Sequence, residues 1–392
     1  MAKLVFHSDR IKDSAAFRAL CPFGAIEEAG GVFTPGAGCR MCGLCVKKSA
    51  NGEAEFVEEE KKGIDKSLWH DVCVWAEQTP KGLHPVTLEL VGKAKELAAV
   101  TGEKVKCILA GASVESLARE LLHYGVDEVH LFEAPELAHF AIEPFTAVME
   151  AFIRREMPCA ILVGATPVGR LLAPRVAARF RTGLTADCTK LEMLENGDLQ
   201  QIRPAFGGNI MAHIHTPDSR PQLATVRYKV MDAPARCEAE QGKIVRQNMA
   251  GIDLSSRIKV LSVEEKPEKP GIEDAEVLIV AGRGVRKKED IAMLKELANR
   301  LGGKLACTRP MAESGMMAPR CQIGLSGRTV RPKLIMTFGV SGAVQFTSGM
   351  NKSDVIFAVN TDEKAPIFKL AHYGVVGDLY KIVPLLLEAL GK

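Results

Sequence analysis

The chain has 392 residues, with 51 basic and 48 acidic side chains and a net charge of +3. That length fits two or three domains with cores of their own, and the balanced charge argues against a nucleic-acid-binding protein, which would show a marked excess of Lys and Arg. No apolar run reaches the roughly 18 residues of a membrane span, and Met1-Ala-Lys-Leu-Val-Phe-His-Ser-Asp9 has no signal-peptide core, so a cytoplasmic protein is expected.

Eleven cysteines, an odd number, suit a reducing compartment in which thiols bind metal or pack. The first 60 residues hold Cys21-Pro22 and Cys39-x-x-Cys42-x-x-Cys45. Two-cluster ferredoxins carry C-x2-C-x2-C-x3-C-P twice, and the Cys before each Pro ligates the other run's cluster. Under that rule the first run keeps only Cys21-Pro22, with Ile11, Ser14 and Phe17 at its other ligand positions. The second keeps Cys39, Cys42 and Cys45 but has Ser49-Ala50 in place of Cys-Pro. Cys21, Cys39, Cys42 and Cys45 therefore make one complete set, and one [4Fe-4S] cluster is expected. A four-cysteine zinc site and four packed thiols stay open, although zinc knuckles usually bring two C-x2-C pairs. Ala25 to Phe33 reads as a hairpin across Gly30-Gly31, so residues 1–60 are expected to form a ferredoxin-like α+β module. Glu58-Glu-Glu-Lys-Lys-Gly63 reads as a solvated linker.

From 68 to 265 helix and strand patterns alternate, which implies an α/β domain with a parallel sheet. Val86 to Ala99 has a helical stripe at Leu88, Val91, Ala94, Leu97 and Ala98, and Val105 to Ala110 reads as a buried strand. A helix over Val114 to His123 follows, then strands at Val129 to Phe132 and Cys159 to Val163. Pro174 is expected to start or bend the next helix. Ile210 to His215 and Leu223 to Val230 alternate like antiparallel strands. His213 and His215 share a strand face, a spacing that serves metals, but without a third ligand they read as surface or packed histidines. Cys73, Cys107, Cys159, Cys188, Cys237, Cys307 and Cys321 show no mutual pattern and read as small buried hydrophobes. Lys266-Pro-Glu-Lys-Pro-Gly271 closes the domain as a linker.

Residues 272–392 read as a doubly wound, Rossmann-like domain. Glu276 to Ala281 is a strand turning at Gly282-Arg283-Gly284, and Asp290 to Leu301 is a helix stopped by Gly302-Gly303. Strands at Lys304 to Cys307, Lys333 to Thr337 and Val355 to Val359 follow, then a helix over Gly377 to Leu390. Two of these strands run into Thr308-Arg309 and Gly339-Val-Ser341-Gly342-Ala343. Small residues at a helix start expose N–H groups that can take a pyrophosphate.

This part of the chain resembles the alpha subunits of electron-transfer flavoproteins. The resemblance is carried by Gly339-Val-Ser-Gly-Ala-Val-Gln345, Ala358-Val-Asn-Thr-Asp362, Ala365-Pro-Ile-Phe368 and Tyr373-Gly-Val-Val-Gly-Asp-Leu379. It extends upstream through Gly164-Ala-Thr-Pro-Val-Gly169 and Leu184-Thr-Ala-Asp187. It implies FAD in the C-terminal domain, with Arg283, Thr308, Arg309, Ile323, Gly324, Leu325, Ser326, Ser341, Gly342, Ala343, Val344, Gln345, Phe346, Asn360, Asp378 and Leu379 in cofactor-contacting positions. In those roles Arg309 favours reduced, anionic flavin, Ser326 meets the ring near N5, and Asn360 and Asp378 hold ribose or ribityl hydroxyls. Many family members have His directly after the motif's Gln; here Phe346 stands there, and Leu325 replaces a common Gln.

Ordinary family members lack an iron–sulfur module. Its fusion here resembles assemblies of anaerobes, which implies a beta subunit, ferredoxin, and a flavin dehydrogenase of the lactate or acyl-CoA type as partners in electron bifurcation or confurcation. No nucleophile with a partner base appears at telling spacing, which suits an electron carrier. A self-contained ferredoxin-dependent NAD(P) oxidoreductase is the alternative.

Overall fold

The computed structural model describes residues 2–36, 38–58, 64–208, 210–264 and 271–391. Most of the charged stretch Glu58 to Gly63 and of the linker Lys266 to Gly271 lies outside the described residues. The chain divides into two compact units, Met1–Ile64 and Asp65–Lys392.

In the first unit, strand Ala2–Phe6 pairs antiparallel with Ala54–Glu58. The expected hairpin forms: Ile26–Ala29 pairs with Val32–Pro35, and Gly30 and Gly31 take φ of +57° and +80° between them, the left-handed conformation that such a tight turn requires. Helix Ser14–Ala19 starts where the Asp13 carboxylate accepts the N–H groups of Ala15 and Ala16 at 2.9 and 3.0 Å. Its one buried residue, Phe17, meets Phe6 and Phe33 edge-on, with ring centroids 5.2 and 5.5 Å apart. With Leu4, Ile26, Ala54 and Cys45 these rings make the unit's core.

The second unit contains two parallel sheets. The first has seven strands in the order Leu184–Cys188, Gln222–Val226, Pro158–Gly164, His70–Ala76, Val105–Gly111, Glu128–Glu133 and Lys243–Arg246. Alternate side chains of the central strand face opposite ways: Val72, Val74 and Ala76 pack with helices Pro85–Thr101 and Glu115–Leu122, while Cys73 and Trp75 pack with Ile142–Glu156 and Pro167–Phe180. Both faces are covered, so its strands read as unbroken apolar runs. Five of the seven scattered cysteines, Cys73, Cys107, Cys159, Cys188 and Cys307, are buried as expected, whereas Cys237 and Cys321 are half-buried. The last helix of the four begins at Pro167 and runs through Pro174, with the Thr166 hydroxyl accepting the Gly169 N–H at 3.0 Å.

One expectation is overturned here. Ile210–Ile214 is antiparallel, in a separate sheet with Leu199–Ala205 and Lys190–Met193. Gln222–Val226, however, is a fully buried parallel strand inside the large sheet and stops before Arg227. Its apparent alternation comes from polar residues satisfied internally. The Gln222 side-chain oxygen accepts the Leu199 N–H at 2.7 Å, and the Thr225 hydroxyl accepts the Asp187 N–H at 3.0 Å.

The second sheet has the order Lys304–Cys307, Val277–Ala281, Leu334–Phe338, Val355–Asn360 and Tyr373–Val376. In chain order this is 2-1-3-4-5, all parallel, a doubly wound arrangement whose order reverses between Val277–Ala281 and Leu334–Phe338. Among the described residues no helix is long and apolar enough to cross a membrane.

The two sheets are tied together by the turn after Val226. Arg227 donates to the Leu325 carbonyl, Lys352 to the Val230 carbonyl, and Arg331 pairs with Asp232. The turn is held from below by Glu89, whose carboxylate accepts the Lys229 N–H at 2.9 Å. Burial raises the Glu89 pKa from 4.5 to about 7, although backbone N–H donors of residues 229–231 oppose the shift. The folded state thus binds a proton that the unfolded state releases. The favourable contribution is full below pH 4.5 and is lost as pH rises to about 7. We expect denaturant titrations to show about 3 kcal/mol of stability lost across that window, and Glu89→Gln to flatten this slope; an unchanged slope in the variant would refute the assignment.

Candidate functional site

In the N-terminal unit, Cys21 follows helix Ser14–Ala19, Cys39 and Cys42 lie in the loop after the hairpin, and Cys45 lies in helix Leu44–Lys48. All four are free thiols on one cavity, whose wall includes Leu4, Phe6 and Ile26. The Arg40 guanidinium lies over the Phe23 ring at 4.5 Å on the same wall. The Ala25 N–H donates to Cys21 Sγ at 3.4 Å, the kind of bond that tunes a metal-bound thiolate. Burial pushes the Cys45 thiol up, and the nearby Cys39 and Cys21 sulfurs push it further.

Sulfur spacing bears on the metal alternatives. Zn–S bonds of about 2.3 Å in a tetrahedron set the sulfurs about 3.8 Å apart. Among the described residues no three of these sulfurs lie mutually within 4.8 Å.

The set that does meet the 4.8 Å spacing is Glu128, His130 and Glu156, which the sequence did not suggest. There the Lys106 ammonium lies 2.8 Å from Glu156 and 2.9 Å from Asp71, so a cation is already built in. Burial also pushes the His130 pKa down, toward the neutral ring. Of the paired histidines, His215 meets Asp198 at 3.2 Å and His213 is exposed.

The remaining predicted residues gather at the carboxyl ends of the second sheet's strands, around its switch point. Gly282-Arg283-Gly284 and Gly339 face each other there. Gly284 N–H donates to the Gly339 carbonyl at 3.0 Å, and a Cβ on Gly284 would lie 2.7 Å from Gly339 Cα, so only glycine permits the approach. Arg283 is exposed at this turn. Thr308 ends the neighbouring strand with its hydroxyl buried and without a hydrogen-bond partner among the described residues. A ligand's polar atom would remedy that deficit.

Arg309 is exposed and pairs with Glu313 at 2.7 Å, a weak surface contact that a ligand anion can displace. The 323–326 loop is fastened to the 341–346 loop, because the Leu325 N–H donates to the Gln345 carbonyl at 2.8 Å. Gly324 makes that possible with φ of +130°. Ser326 accepts from the Gln322 side chain at 2.9 Å and opens on a cleft of about 1420 Å³ lined also by His84, Arg227 and Arg328. Ser341, Ala343, Val344 and Gln345 are exposed, and no acceptor among the described residues takes the N–H groups of Ser341, Gly342 or Ala343. Such free amides are what a diphosphate requires.

Other predicted contacts are partly used by the protein itself. Asn360 donates to the Val340 carbonyl at 2.8 Å and accepts the Asp362 N–H at 3.0 Å, while Asp378 caps helix Leu379–Leu390 by accepting the Tyr380 N–H at 3.0 Å. Ile323, Phe346 and Leu379 are 1%, 6% and 5% exposed and packed into the core. Their side chains pack against the domain's apolar cores. Sequence reading missed Arg227, which reaches the 323–326 loop at Leu325; the usable signal was its place at the carboxyl end of a parallel strand.

Residues 72–251 match the family model for the electron transfer flavoprotein domain, and residues 271–351 match that for the electron transfer flavoprotein FAD-binding domain. The chain is 51% identical to the lactate dehydrogenase (NAD(+),ferredoxin) subunit LctC of Acetobacterium woodii, over 96% of this chain and 90% of that protein. It is 41% identical to the electron transfer flavoprotein subunit alpha of Thermoanaerobacterium thermosaccharolyticum, over 83% of this chain and 98% of that one. The acryloyl-CoA reductase electron transfer subunit beta of Anaerotignum propionicum is 36% identical over 83% and 97% of the two chains. A match over 96% of this chain necessarily takes in most of the cysteine-bearing unit.

Proposed function

We infer the function from family membership: this chain belongs to the electron-transfer flavoproteins, as an alpha subunit. It carries the family's FAD-binding domain. We propose further that residues 1–60 form a ferredoxin-like module with one [4Fe-4S] cluster on Cys21, Cys39, Cys42 and Cys45, that 68–265 and 272–392 are the family's two α/β domains, and that the chain relays electrons among a beta subunit, ferredoxin and a lactate-oxidising flavin dehydrogenase in electron bifurcation or confurcation. The observation that carries this reading is four free cysteines lining one cavity, in a chain whose similarity to LctC runs through that unit. A bound cluster supplies one-electron steps and FAD supplies two-electron chemistry.

The chain's own residues do the holding. Free N–H groups of residues 341–343 take the diphosphate, the Thr308 hydroxyl finds its missing partner, and Arg309 exchanges Glu313 for the reduced ring's negative charge. Ser326 would offer its hydroxyl to the ring near N5. Phe346, buried, offers the flavin no donor, so anionic flavin has less support here than in members with His at that position.

The assembled complex with its beta subunit and dehydrogenase, purified without oxygen, is the test. Lactate with NAD+ present should bleach this chain's flavin absorbance. Bleaching by an acyl-CoA or its enoyl partner in place of lactate would move the chain to the reading that the acryloyl-CoA reductase relative favours. Zinc in place of about four irons per chain would remove the cluster.

A further inference from the structure

Phe206 is the most exposed phenylalanine among the described residues, at 82%, and its φ of +48° lies in the left-handed region. For a bulky side chain that conformation is a genuine outlier, and such outliers persist where surrounding structure imposes them and a function uses them. The residue opens the short turn Phe206–Gly208, between strands Leu199–Ala205 and Ile210–Ile214. Neither an exposed aromatic ring nor a strained backbone is explained by folding, since burial would favour the first and glycine the second.

The turn's position supplies the explanation. It rests on the two loops assigned to the flavin. A Cβ on Gly208 would lie 3.0 Å from Leu325 and 3.4 Å from Val344. These loops are themselves joined by the Leu325 N–H to Gln345 carbonyl bond, and Arg227 fixes Leu325 from the same side. Ser326, next in the chain, is exposed and opens on the cleft. The turn that carries this exposed ring therefore lies against the two loops assigned to the flavin.

We propose that Phe206 is a flavin-contacting residue, contributed by the turn of the antiparallel sheet that abuts the 323–326 and 341–346 loops, which covers part of the isoalloxazine and excludes water from it. This rests on the FAD reading above. An aromatic contact adds affinity, and an apolar cover disfavours the charged reduced ring, so the residue holds the flavin potential low. The backbone strain is the cost of presenting the ring at that point.

The test compares Phe206→Gly, Phe206→Ala and Phe206→Trp in the full chain with its beta subunit, using FAD itself as the probe. Glycine removes the ring and also relieves the left-handed backbone, so its effects on stability and flavin separate. The expected result for Phe206→Gly is FAD affinity weaker by roughly three- to tenfold, brighter flavin fluorescence, a more positive midpoint potential, and a Tm of the FAD-free protein no lower than wild type. Phe206→Ala should share the flavin effects, and Phe206→Trp should restore affinity. Unchanged affinity and fluorescence in the glycine variant would overturn the proposal, as would intact flavin properties with lost beta-subunit association, which would assign the ring to the subunit interface. A fall in Tm parallel to the loss of affinity would assign it to structure instead. Wild type that takes up no FAD would defeat the FAD reading itself, a result separable from the others.

Discussion

Cys45→Ser is expected to abolish iron incorporation while leaving FAD bound. Cys45 is both a predicted ligand and a buried member of the small core built on Leu4, Phe6, Phe17, Ile26, Phe33 and Ala54. A core of that size stabilises a unit of 64 residues only weakly, and units of this length commonly depend on a bound metal group as a staple. Loss of one thiolate should therefore remove the cluster's visible absorption and also expose the Met1–Ile64 unit to proteolysis. Cys39→Ser and Cys21→Ser should do the same. Cys107→Ser, at a buried thiol in the second unit with no part in the cavity, should keep full iron content. Iron analysis, absorption and limited proteolysis on anaerobically prepared protein decide the matter. Retention of iron in Cys45→Ser, or an equal loss in Cys107→Ser, would sink the ligand assignment.

The parts of this fold that were legible in the sequence are those governed by local rules. Gly30-Gly31 announced a hairpin because a two-residue turn needs left-handed residues. Gly302-Gly303 announced the end of helix Ile291–Arg300 for a related reason. Long buried runs such as Val105–Gly111 announced a covered parallel sheet. What failed was decided by distant partners. Thr225 read as a polar position of an alternating strand because its satisfying group, the Asp187 N–H, is remote in sequence. Strand Tyr373–Val376 escaped notice because it is a largely exposed edge, with no apolar run to mark it. The candidate site divides the same way. Motif residues at strand ends were found together, whereas the inward turn of Phe346 depends on packing with Ile323, Met350 and Ile367 that no local pattern encodes.

Gly342→Ala is expected to weaken FAD binding by roughly a hundredfold, or about 3 kcal/mol, without touching the iron content. Gly342 has φ of +83°, and a Cβ there would lie 2.2 Å from Ile367 N and 2.5 Å from Ile367 Cα. These are backbone atoms, so no side-chain rotation can relieve the overlap. Ile367 N–H also donates to the Ser341 carbonyl at 3.0 Å, fastening the turn to the segment the methyl would displace. The 341–343 turn must then move, and with it the free N–H groups assigned to the diphosphate. Gly302→Ala is the matched control. Its φ is +62°, so it bears a comparable conformational penalty, but a Cβ there meets nothing within 4 Å and it lies at a helix end away from the loops. Gly302→Ala should lower Tm modestly and leave FAD affinity unchanged. Flavin titration of both variants separates the two effects: equal affinities would mean that the 341–343 turn does not hold the cofactor, because destabilisation alone would then account for whatever Gly342→Ala lost.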